Sequence, residues 1–184
     1  NSLNKIMFDT RQRMWVGTYQ KGLCIGDNYA KRFSTFQAIR DQQSSLRSNN
    51  INDIIEDSAG NVWLGSQNGL SLLKQEMHGL EMLDINTPEN TPMQVVSLYH
   101  SEDDQLILAS THGVMKIDEN GIKPKQYQPF IAKGKITNSA HIPGQGILAF
   151  KANELTIYQL DEQTLRLQPI KAQLPKDINS YNIL

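Results

Sequence analysis

One cysteine, Cys24, stands among 184 residues. A lone thiol excludes an internal disulfide framework and any cysteine-based metal cluster. Flanked by Leu23 and Ile25, it reads as a small core hydrophobe. An excess of one charge is missing too. Eighteen Lys plus Arg against 19 Asp plus Glu leave a formal net charge of −1, which supplies neither a nucleic-acid footprint nor a polybasic membrane face. No 18-residue apolar run occurs, so no segment is expected to span or contact a bilayer. A charged-then-apolar leader is also lacking, and any signal peptide is expected outside these residues. The four histidines, His78, His100, His112 and His141, are never within four residues of each other. Without H-x-x-x-H, C-x-x-C, G-x-S-x-G or P-loop spacing, no metal, cofactor or catalytic constellation is expected. Glu102-Asp103-Asp104 reads as a solvated turn lacking the terminal Glu of a calcium loop.

What the chain does have is a repeat. Residues 3–26, LNKIMFDTRQRMWVGTYQKGLCIG, align with 51–73, INDIIEDSAGNVWLGSQNGLSLL. Asp9, Trp15 and Gly17 meet Asp57, Trp63 and Gly65 at a spacing of 48, and Gly22-Leu23 meets Gly69-Leu70 at 47. A third copy at 95–117 places Ile107, Ala109 and Gly113 in the same frame, 44 residues on; a fourth at 136–158 places Ile147 and Ala149 another 40 residues on. Residues 177–184, DINSYNIL, read as the opening of a fifth.

Each copy divides into four runs of 4–7 aliphatic, aromatic and β-branched residues, bounded by Gly, Asn, Asp and Pro; that composition and length favour strands. The second run is MWVGT, VWLGS, LILAS or ILAFK; the fourth is RFSTF (32–36), GLEML (79–83), KPKQY (123–127) or LRLQPI (165–170). The turn Asp57-Ser58-Ala59-Gly60 offers a carboxylate to backbone N–H groups and a Gly for positive φ. Gln12 holds the Gly60 position in the first copy; glutamine tolerates the left-handed region poorly, so a different turn is expected there. His100 and His141 fall at or beside the Asp57 position and read as turn residues. Small residues after the Trp position, Gly17, Gly65, Ala109 and Ala149, would let neighbouring sheets approach. Trp15 and Trp63 would fill the space between them.

Four antiparallel strands recurring every 40–48 residues predict an all-β chain of β-propeller blades. The expected blades are residues 3–50, 51–94, 95–134 and 135–177, with 178–184 starting another, so about four blades of a larger ring are present.

Asp57, Gly60, Trp63, Gly65, Ser66, Gly69 and Leu70 form a D-x-x-G-x-x-W-x-G-[ST]…G-L pattern that resembles the two-component regulator propeller repeat. The first copy keeps Asp9, Trp15, Gly17, Thr18, Gly22 and Leu23; the third and fourth lack both Asp and Trp. The resemblance implies the periplasmic sensor region of a bacterial membrane receptor, usually seven-bladed. It also implies a histidine kinase or diguanylate cyclase output beyond this chain, which itself reads as a non-enzymatic fragment.

In a propeller, the turns joining the second and third strands line one rim, where ligands commonly bind. Here those turns hold Tyr19, Gln20, Gln67, Asn68, Thr111 and His112, polar and amphipathic groups suited to a sugar-like ligand. The expected partners are a small extracellular ligand or a protein, and either the remaining blades of the same polypeptide or a second copy. Two alternatives stand beside this: a lyase of the virginiamycin-inactivating type, which needs a His and a Glu at a rim metal, and an interaction scaffold.

Overall fold

A computed structural model describes residues 2–27, 32–42, 45–74, 80–83, 93–101, 105–117, 126–129, 136–142, 146–151, 156–161, 164 and 166–170. These residues hold strands and no helix, as the alternating pattern predicts. They fall into two compact units, residues 1–98 and 99–184.

The first unit contains two four-stranded antiparallel sheets, each a meander in chain order. One is β1 (Leu3–Phe8), β2 (Met14–Thr18), β3 (Leu23–Asp27) and β4 (Arg32–Phe36). The next is β5 (Ile51–Glu56), β6 (Val62–Ser66), β7 (Gly69–Leu73) and β8 (Leu80–Leu83). A third sheet joins β9 (Val95–His100), β10 (Leu106–Ser110), β11 (Gly113–Ile117) and β12 (Gln126–Pro129). A fourth joins β13 (Ile136–Ile142), β14 (Gly146–Lys151), β15 (Thr156–Asp161) and β16 (Arg166–Pro169). Each has the strand count and order of a propeller blade. The expected fourth run at 123–127 is met by a strand three residues later, at Gln126–Pro129. Residues 177–184, read as the opening of another blade, lie outside the described residues, as do the triplet 102–104 and His78.

The first strands β1, β5 and β13 carry a device that simple alternation hides. Register shifts between Leu3 and Lys5 in β1, and between Ile51 and Asp53 in β5. An extra residue, Asn4 or Asn52, bulges out, so Ile51 and Ile54 land on one face although three positions apart. Both are buried, and they join Trp15, Leu23, Leu46, Val62 and Leu64 in one core between the first two sheets. β13 repeats the shift, between Ile136 and Asn138.

The glycines after the tryptophans set how closely the sheets approach. A Cβ on Gly17 would lie 2.8 Å from Ile51 Cγ2, and one on Gly65 would lie 2.5 Å from Val95 Cγ1. Neither distance is tolerable between carbons, so the small residue is required by the neighbouring first strand. Ala109 and Ala149, at the same repeat position, are buried.

Three expectations need correction. Gln12 does not change its turn: it adopts φ of 61°, as Gly60 adopts 79°. The two turns also share their closing bonds, Gln12 N to Asp9 O and Gly60 N to Asp57 O, both 2.9 Å. The hydrogen bonds around Asp9 outweigh the left-handed penalty of about 1–2 kcal/mol. Gln12→Gly is therefore expected to raise stability by about 1 kcal/mol, less the entropy that glycine gains in the unfolded chain. A urea midpoint that falls on this substitution would show the turn to be unstrained. Cys24, secondly, is half-buried rather than core, because it shares the face of β1–β4 that carries the exposed Ile6 and Phe8. Its counterpart Ser71 is buried. Thirdly, His100 closes β9 and His141 lies within β13; neither occupies a turn.

Candidate functional site

Nearly every residue of the repeat motif has a structural task. Asp57 Oδ1 accepts from Asn61 N at 2.8 Å, while Oδ2 accepts from Asn61 Nδ2 at 2.9 Å and from the Trp63 indole Nε1 at 2.8 Å. One carboxylate thus closes the turn and holds the buried indole by its only polar atom. Asp9 does the same for Trp15 Nε1 at 2.9 Å, and also receives Arg11 N, Arg13 N and Arg13 Nε. The Arg13 guanidinium then lies over the Trp15 ring, 5.2 Å from its centroid, within cation–π range.

The Ser/Thr of the motif closes the opposite end. Thr18 Oγ1 donates to Gly22 O at 2.8 Å, and Ser66 Oγ donates to Gly69 O at 2.9 Å. The same hydroxyls accept backbone N–H bonds from Lys21 and Asn68, as Ser110 Oγ accepts from His112 N. Gly22 and Gly69 carry positive φ, the conformation each hairpin needs.

Burial raises the Asp9 pKa, but the bonds from Trp15 and Arg13 and the Arg13 charge outweigh it and hold the carboxyl below its ordinary value. A depressed carboxylate stabilises the fold above its unfolded pKa, and the contribution is lost as pH falls through the folded pKa. Stability is therefore expected to decline as pH drops below about 4. Asp9→Asn should flatten that decline, as thermal melts across the acid range would show. An unchanged slope would locate the acid sensitivity elsewhere.

With Asp, Trp, Gly and Ser/Thr committed to the scaffold, the tips between them are what remains. Tyr19 and Gln20 lie in the β2–β3 turn, Gln67 and Asn68 in the β6–β7 turn, and Thr111 and His112 in the β10–β11 turn. All are exposed except Thr111, which is half-buried. Gln20 adopts φ of 72°, an uncommon state for a residue with a side chain. Thr111 Oγ1 lies 2.9 Å from His112 Nδ1.

Sequence reading missed Asn50, the residue that joins two of these tips. Its Oδ1 accepts from Gln20 N at 2.7 Å, its Nδ2 donates to Gln67 Oε1 at 2.5 Å, and its carbonyl accepts from Gln67 N at 3.2 Å. Next to it, Asn49 O accepts from Gly22 N, and Asn49 Oδ1 accepts from Ala38 N. The link between the first two sheets is thereby sewn to the rim, and the Gln20 backbone and the Gln67 side chain meet at one asparagine, with Tyr19 next to Gln20 in the same turn. The available signal was the pair Asn49-Asn50 directly before the second copy.

On the other side of the sheets, Glu56 accepts from Thr10 N and Thr10 Oγ1 at 2.7 and 2.8 Å. Among the described residues, no three of His, Cys, Asp and Glu converge as a metal site, and no helix is long and apolar enough to cross a membrane.

Residues 45–68 match the family described as two component regulator propeller. No curated protein matches the chain by sequence. Among solved structures, the extracellular domain of a hybrid two component system from B. thetaiotaomicron superposes with a TM-score of 0.71 at 17% identity, over 91% of this chain and 23% of that one. The extracellular domain of a one component system from the same organism gives 0.69 at 20%, over 92% and 22%. Virginiamycin B lyase from Staphylococcus aureus gives 0.67 at 8%, over 94% and 56%. The chain spans less than a quarter of the two extracellular domains. These likenesses are to the fold, and the family match is to the second copy with the residues just before it. The chain is thus built of β-propeller blades, and residues 45–68 carry a two component regulator propeller repeat.

Proposed function

We propose that this chain is part of the extracytoplasmic sensor region of a bacterial signal-transduction receptor. In this reading it is periplasmic and non-enzymatic, and it binds a small polar ligand of the saccharide kind at the rim turns. The repeat match and the two extracellular domains of signalling systems support the receptor context.

The observation that carries the ligand reading is the cluster around Asn50. Tyr19, 49% exposed, offers a ring face to the C–H face of a sugar, and the Gln20, Gln67 and Asn50 side chains offer amides to hydroxyl groups. An aromatic platform with a few placed polar groups is the usual composition of such a site. The lyase reading has only fold likenesses at 8–11% identity behind it.

Calorimetric titration of the chain against oligosaccharides, amino acids and divalent cations tests the proposal. Saccharide binding that Tyr19→Ala and Gln67→Ala weaken is the expected result. Binding of a divalent cation alone would favour the lyase reading, and binding to none of these would direct the search to a protein partner.

A further inference from the structure

We propose that the link between the first two sheets holds a second binding site, separate from the Asn50 cluster. Its ligand is a small organic anion whose carboxylate or phosphate group is taken by Arg40 and Arg47. The link runs over residues 37–50, well beyond the roughly four to six residues of a usual connection. Such long connections are uncommon in compact domains, and those packed by bonds of their own are usually functional.

This link has such bonds. Ser45 Oγ accepts from Ile39 N at 3.0 Å and lies 2.9 Å from Gln42 O. Gln42 N donates to Ile39 O at 3.3 Å, and Asp41 stands in that turn at φ of 62°. At its base, Asn49 Oδ1 accepts from Ala38 N at 2.7 Å. A loop held in this way loses less freedom when a ligand arrives.

Residues 38–42 and 45–47 line an open cavity of about 600 Å³. That volume lies in the range of small-molecule sites and exceeds the needs of a bare ion. Two arginines and one aspartate are in the lining, so positive charge is in surplus. Arg40 is exposed and Arg47 half-buried. A guanidinium carries five donors in a planar fork that matches carboxylate and phosphate oxygens, so it can keep a partner in the loop and still take an anion. Ile39, 56% exposed, and the buried Leu46 give the organic body an apolar wall, and Gln42 adds an amide. The Asp41 carboxylate opposes the ligand's charge, in a left-handed conformation that asparagine also tolerates.

Titration calorimetry of the full chain with benzoate, phenyl phosphate, acetate, inorganic phosphate and benzyl alcohol tests the proposal. Saturable binding of benzoate or phenyl phosphate is expected, about tenfold or more tighter than binding of the bare ions or the neutral alcohol. The tighter of the two aromatic anions distinguishes a carboxylate ligand from a phosphate ester. Arg40→Gln and Arg47→Gln should each weaken that binding by about tenfold, and Asp41→Asn should strengthen it by about threefold. Arg32→Gln, at the opposite end of β4, and Tyr19→Ala, at the rim, should leave it unchanged, whether or not a saccharide binds at Asn50. Arg40 is exposed, so Arg40→Gln decides the matter even if Arg47→Gln impairs folding. Three results would overturn the proposal: no saturable binding of either aromatic anion, an affinity indifferent to Arg40→Gln, or equal losses from Arg40→Gln and Arg32→Gln.

Discussion

Replacing Trp63 with alanine is expected to lower the unfolding free energy by about 3–5 kcal/mol. Trp63 is fully buried, and no smaller side chain fills the volume of an indole. The loss has a second part: Asp57 Oδ2 would keep Asn61 Nδ2 but lose the indole N–H, leaving a buried carboxylate less satisfied. Trp63→Phe bears on the balance between the two contributions, since it removes the donor and the second ring but keeps one aromatic ring in the core. It should cost less than Trp63→Ala by the larger, packing share. Urea denaturation measures both. A Trp63→Ala protein as stable as the parent would place the indole in water and make it a stacking platform for ligand.

Gly65→Val should be nearly as damaging, by about 3 kcal/mol, the upper end of what overpacking usually costs. Its Cβ would lie 2.5 Å from Val95 Cγ1 and 3.2 Å from Val95 Cβ, and a short branched side chain has little room to retreat. The first strand of the next repeat would have to move, pulling on the Asn52–Val95 and Asp53–Leu98 bonds. Gly26→Ala is the control. The atom a Cβ there would meet belongs to the exposed Phe33 ring, at 2.7 Å, which can swing into solvent. Its cost should stay below about 1 kcal/mol. Similar losses from both substitutions would mean that Gly65 is not the point of close approach.

Much of this was legible in the residues because the repeat copies the same solution. A Trp, a small residue two places on and a Gly across a turn can be matched by spacing alone, and each proves to have a fixed contact. What stayed hidden depends on a partner from another copy. Asn4 and Asn52 share a repeat position, but nothing local says that each donates to the first carbonyl of the following copy. Likewise, the bulge in β5 makes Ile51 and Ile54 share a face, where strict alternation would separate them. Asp57 carries the signature of a turn residue; its bond to an indole six positions on exists only once β5 and β6 have paired. Gln12 misled because propensity favours another residue at φ of 61°, and the carboxylate of Asp9 prevails. At the rim, the turn residues were located by strand order, whereas their convergence on Asn50 was not.

Under the proposed function, the rim tips and not the scaffold residues receive the ligand. Side-chain amide resonances of Asn50 and Gln67, followed by two-dimensional NMR during titration with the saccharide that calorimetry selects, test it most directly. Shifts concentrated in those amides and in residues 19–21 are the predicted result, with the Trp15 and Trp63 indole signals unmoved. Saturable binding that leaves the Asn50 and Gln67 amides unchanged, or that shifts the indoles instead, would contradict it.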